Sequence, residues 1–180
     1  PRGEKLSAAT GLSEPELADV LRGLCDHDLL DLAPDGTIQY VYPFAEAQTG
    51  RRVRLGGHVI AAMCAIDALG VGAMYGRDID IESACRWCGG DIRVATADRG
   101  RALADVSPPG AVVWYDFAYD GSAAVSCCPA MALFCSDEHL ERWRMSTPER
   151  RGLRLSTREA LEVGRALFGP VLRAAGAAGR

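Results

Sequence analysis

Residues 57–69, GHVIAAMCAIDAL, set one thiol and one carboxylate in an otherwise apolar run. The pattern predicts a short buried helix, on which Cys64 and Asp67, three residues apart, share a face. A carboxylate in such surroundings is costly unless a partner or a reaction uses it. Five more thiols follow: Cys85 and Cys88 as a Cys-x-x-Cys, the adjacent Cys127 and Cys128, and Cys135. With Cys25 the total is seven, an odd number that a secreted disulfide scaffold rarely carries. In a reducing compartment thiols stay free, so metal binding or nucleophilic chemistry becomes the better account of them. The chain reads as one that presents thiolates to a soft metal, with an acid beside them.

Composition narrows the class. A chain of 180 residues, 48% hydrophobic and 24% charged, can bury a core as one domain or two small ones. A net charge of −4 offers no general attraction to nucleic acid or to an anionic membrane. The opening PRGEKLSAAT has no apolar signal core, and the central apolar run is broken by Asp67, well short of a span. The expectation is a soluble, cytoplasmic protein with neither nucleic-acid nor membrane partners.

The expected fold class is α+β: a small winged-helix-like helical module over residues 1–44, then a mixed α/β core with antiparallel strands over 45–180. LSAATGL predicts a helix ending at Gly11, and Ser13 with Glu16 a capping box for the next. LLDLAPDGTIQYVY follows as two strands around Pro34-Asp35-Gly36. Such a unit can read DNA, but residues 1–40 carry eight acids and three bases, a net −5, the wrong sign for phosphates. A structural or dimerising module is the better reading, with Cys25 and His27 as packing and surface residues. Pro43–Gly56 reads as a linker or short strand. IDIES (79–83) and DIRVA (91–95) alternate as strands around ACRWCGG, a thiol-presenting knuckle. AVVWYDFAY (111–119) predicts a strand, with GSAAVSCC (121–128) returning beside it. Ser136 caps a helix, and Ser156 with Glu159 forms a second capping box. The Ala/Gly-rich tail after Arg173 is expected to fray.

Two thiolates and a carboxylic acid converging on one soft metal suit the cleavage of a carbon–metal bond by protonation. The sulfurs donate density to the metal, and an acid whose pKa burial has raised delivers the proton to carbon. The stretches MCAID (63–67), YGRDIDIESAC (75–85) and SCCPAMALF (126–134) resemble the organomercurial lyase, or alkylmercury lyase, family. The likeness extends over residues 57–95 and 122–136, and the acidic N-terminal module fits it too. It implies that Cys64 first captures the organomercurial and that Asp67 shuttles a thiol proton to carbon. It also implies that Cys127 is the second thiolate, with Cys128 dispensable and Cys85 structural. The implied reaction turns R–Hg⁺ and H⁺ into R–H and Hg²⁺ without a required cofactor. Free thiols act as co-reactant, and cellular thiols or a mercuric reductase accept the Hg(II).

The sequence departs from that pattern where Cys88 completes a Cys-x-x-Cys and FCSDEHL adds Cys135 and His139 at Cys-x-x-x-His spacing. Cys85, Cys88 and Cys135, with His139 or Cys128 as fourth ligand, could close a structural zinc site. The alternative function is therefore a non-enzymatic thiol protein that carries or senses zinc, copper or mercury on the same fold. A winged-helix transcription factor is a third reading, opposed by the −5. Asp67 could instead cap the turn at Gly70 or pair with an arginine such as Arg77. Trp87 and Trp114 read as core or pocket wall, and His58 as the start of the central helix.

Overall fold

Residues 3–172 are described by the computed structural model; the tail expected to fray, 174–180, lies outside them. The first helices begin and end where the sequence supplies caps. Helix α1 (Gly3–Thr10) stops at Gly11, whose φ of +73° suits glycine. Helix α2 (Glu14–Asp26) starts on Ser13, whose backbone N–H and hydroxyl both donate to Glu16 Oε2, at 2.9 and 2.6 Å. The hairpin β1 (Leu30–Leu32) and β2 (Ile38–Val41) follows, then β3 (Phe44–Ala45), β4 (Arg51–Leu55) and β5 (His58–Ala62). After α3 (Ala65–Tyr75) come β6 (Asp80–Ala84), β7 (Asp91–Ala97) and β8 (Ala102–Ser107).

These eight strands form one antiparallel sheet in the order β1-β2-β3-β5-β4-β6-β7-β8. The two helices and hairpin expected at the N-terminus are present, and the hairpin continues into the core sheet: Tyr40 faces Ala45 across β2 and β3, and Phe44 faces Ala62 across β3 and β5. Residues 58–62, expected as the first turn and a half of the central helix, are a strand. Gly56 and Gly57, at φ +55° and +87°, close a two-residue hairpin that sets Leu55 opposite His58. His58 therefore opens a strand, and the helix starts only after Cys64.

A second, three-stranded sheet has the order β10-β9-β11, from β9 (Val112–Asp116), β10 (Leu133–Phe134) and β11 (Gly152–Ser156). Residues 121–128 do not return as a strand beside β9, because β10 and β11 already occupy both its edges. They wind into turns instead: the Ser126 N–H and hydroxyl both donate to Ser122 O, and Cys128 N–H donates to Ala123 O at 2.9 Å. Helices α4 (Asp137–Ser146) and α5 (Thr157–Phe168) start on Ser136 and Ser156 as expected. Trp114 is buried, whereas Trp87 is 42% exposed on the Cys-x-x-Cys loop and is not core.

Helix α3 is buried along most of its length, and it packs closely on α5 through Gly70 and Gly164. A Cβ on Gly164 would lie 2.8 Å from both Gly70 N and Ile66 O, so only glycine fits there. This packing fixes the N-terminal end of α3, where the chemistry-bearing residues lie.

Candidate active site

Cys64 is the N-cap of α3, in extended backbone (φ −140°), and its sulfur accepts the Asp67 N–H at 3.4 Å. The two side chains are thus neighbours through capping rather than through mid-helix spacing. Cys64 is 1% exposed and Asp67 4%. The carboxylate Oδ2 is buried without a hydrogen-bond partner among the described residues. A buried polar oxygen left unpaired costs about 1–3 kcal/mol, which marks it as held for a purpose other than stability.

The second sulfur comes from the turn after β9. Of the vicinal pair it is Cys128, not Cys127, that joins the group: the sulfurs of Cys64 and Cys128 and a carboxylate oxygen of Asp67 all lie within 4.8 Å of one another. The Cys127 sulfur instead reaches Ala123 O at 3.7 Å, and its carbonyl accepts the N–H groups of Ala130 and Met131. The two thiols still interact with each other and both line the cleft, but only the Cys128 sulfur stands in the group with Cys64 and Asp67. Met131 brings a third soft atom, with Sδ 3.8 Å from Cys64 Sγ, and its carbonyl accepts the Ala65 N–H at 3.1 Å. That last bond ties the thiol-bearing turn to the start of α3.

Burial dominates the electrostatics. It lifts the Asp67 carboxyl to about 6, against hydrogen bonding from Cys64 and the charge of Arg51. Burial likewise pushes the Cys64 thiol well above its ordinary range, with help from the bond it shares with Cys128 and from Asp67. Cys128 moves the other way, drawn down by the Cys64 hydrogen bond against its own burial, with Tyr42 assisting. The Tyr42 hydroxyl stands 3.3 Å from the Cys128 sulfur. Of the two thiols Cys128 is thus the more readily ionised, and Cys64 the one that holds its proton. The three groups open into a cleft of about 590 Å³ walled by Tyr115, Phe117, Tyr119 and Phe168.

A sequence model of the alkylmercury lyase family matches residues 44–169. The chain belongs to the alkylmercury lyase family. A solved structure described as the mercury-bound form of MerB2 is similar to it, at 26% identity and a TM-score of 0.78. That likeness covers 93% of this chain and 81% of the other. No curated protein matches the sequence significantly.

Three contributors to this lyase-family site escaped the sequence reading. Arg51 faces inward from β4 and, 9% exposed, donates to Met63 O at 3.3 Å, just before the thiol cap. It supplies the positive charge beside Asp67, the place considered for Arg77. The signal was available: in RRVR the alternate positions Arg51 and Val53 are buried and Arg52 and Arg54 exposed. Tyr42 and Asp28 had no such signal. Asp28 accepts the Ala123 N–H at 2.7 Å and the Tyr40 hydroxyl at 3.2 Å, and so anchors the thiol-bearing turn to the N-terminal segment. Cys85, Cys88, Cys135 and His139 form a separate cluster, and the fourth member beside the three cysteines is His139 rather than Cys128.

Proposed function

We propose that this protein is an organomercurial lyase in which Cys128, Cys64 and Asp67 carry out the protonolysis. The observation that carries the reading is the convergence of two sulfurs and one unpartnered carboxylate oxygen within 4.8 Å at the foot of an apolar cleft. Family membership supplies the chemical class.

The opposite shifts of the two thiols set the order of events. Cys128, the more readily ionised sulfur and held by Tyr42, loses its proton to solvent and as thiolate takes the mercury of R–Hg–X, releasing X as an anion. Cys64 passes its proton to the ionised Asp67 and becomes the second thiolate on mercury. Two thiolates raise the electron density on the metal and weaken its bond to carbon. Asp67 then gives the proton to carbon: the electron pair of the C–Hg bond becomes the C–H bond, R–H departs, and mercury stays divalent as a bis-thiolate. Replacement by free thiols, passing Hg(II) to cellular thiols or a mercuric reductase, resets the site. The aromatic walls suit an alkyl or aryl R group, whose apolar surface they take out of water. Release of benzene from phenylmercury with excess small thiol tests this reading, whereas retention of mercury without hydrocarbon would favour a storage or sensing protein.

A further inference from the structure

Outside the lyase site, the Cys-x-x-Cys loop between β6 and β7 meets the junction of β10 and α4. Cys85, Cys88, Cys135 and His139 each offer one atom, all within 4.8 Å of one another. Two of the edges bear on what the group fits. Tetrahedral zinc, with Zn–S of about 2.3 Å and Zn–N of about 2.0–2.1 Å, requires S···S edges near 3.8 Å and S···N edges near 3.6 Å. Cys88 Sγ to Cys135 Sγ is 3.9 Å, and Cys85 Sγ to His139 Nδ1 is 3.6 Å. A disulfide needs sulfurs about 2.05 Å apart. It would also use only two of the four groups.

The backbone is folded as for thiolates. Cys135 N–H donates to Cys85 Sγ and Gly90 N–H to Cys88 Sγ, each at 3.4 Å. Gly89, at φ +73°, turns the loop so that its N–H returns to Cys85 O at 2.9 Å. A Cβ on Gly90 would lie 3.2 Å from Cys88 Sγ and 3.7 Å from Cys135 Sγ, so the chain passes tightly over both sulfurs. Ser136, the α4 cap, accepts the His139 N–H at 3.3 Å and thereby sets the first turn that carries the ring.

We propose that Cys85, Cys88, Cys135 and His139 bind one zinc ion as a closed, four-ligand structural site, independent of the lyase chemistry. The ion staples the large sheet to the small one: Cys85 and Cys88 lie on the β6–β7 loop, while Cys135 and His139 follow β10. It adds to a junction already made by the backbone, where Arg86 N–H donates to Leu133 O at 3.0 Å.

The test is elemental analysis of the full chain, purified without exposure to mercury, together with cobalt(II) substitution. We expect about one zinc per chain in the wild type and in Cys64→Ser and Cys128→Ser. We expect its loss in Cys88→Ser/Cys135→Ser, its retention in His139→Cys, and tetrahedral cobalt–thiolate absorption that intensifies in His139→Cys. Chelation should lower Tm of the wild type and leave the already metal-free double variant unmoved. Failure of wild-type protein to hold zinc after reconstitution, or zinc that follows Cys64 and Cys128, would overturn the assignment. Neither result bears on hydrocarbon release, so the lyase reading stands or falls separately.

Discussion

Asp67 concentrates the account at the scale of single residues. Its carboxyl is lifted from 3.8 to about 6 because burial penalises the charge. A raised carboxyl favours folding while it is protonated, so that contribution is present below about pH 4 and is lost as pH rises through about 6. Asp67→Asn should therefore unfold later than the wild type at pH 8, by on the order of 1–3 kcal/mol. The gain should vanish toward pH 4, as read by urea titration at both pH values. Turnover should show the opposite preference. The free carboxylate must take the Cys64 proton, so kcat/KM should rise with pH through about 6, and Asp67→Asn should release no hydrocarbon. Tyr42→Phe removes one bond to the Cys128 sulfur, worth about 1 kcal/mol, and should cost roughly five- to tenfold in kcat/KM with the fold unchanged. How much of this was legible follows from which residues carry local signals. Cys64 and Asp67 stood out as polar interruptions of an apolar run. The choice between Cys127 and Cys128 did not, because the direction of two adjacent side chains in a turn depends on bonds to Ala123, Ala130 and Met131.

Among the elements, α3 and α5 illustrate what sequence patterns conceal. The α5 cap was readable, but the start of α3 was not: residues 58–62 fit a helix or a strand equally well, and only the Gly56-Gly57 turn and pairing with β4 decide for the strand. Residues 121–128 failed for a non-local reason, since β10 and β11 lie far along the chain from the β9 edges they occupy. The α3–α5 contact predicts a measurable sensitivity. Gly164→Ala presses a methyl group against Gly70 and the Ile66 carbonyl, and should lower stability by about 2–3 kcal/mol. A conservative Ala166→Gly change near the end of α5 should cost only about 1 kcal/mol. Thermal unfolding of the two variants distinguishes the packing effect from ordinary helix propensity.

For the whole molecule, one continuous sheet joins the N-terminal hairpin to the core, and Tyr42 and Asp28 bring that segment to the site. Asp28→Ala should loosen the Cys128 turn and lower kcat more than it lowers Tm, although Asp28 touches neither reacting sulfur. No described helix is long and apolar enough to cross a membrane. The class α+β with antiparallel strands was legible because alternation and caps are local, whereas the order of strands is set by pairings across the chain. The central claim is that Cys128, Cys64 and Asp67 break the carbon–mercury bond by delivering one proton. The most direct measurement is mass spectrometry of the benzene released from phenylmercury in D2O with excess thiol, across Cys127→Ser and Cys128→Ser variants. The account predicts singly deuterated benzene from the wild type and from Cys127→Ser, and none above background from Cys128→Ser; full release by Cys128→Ser, or its loss in Cys127→Ser alone, would contradict it.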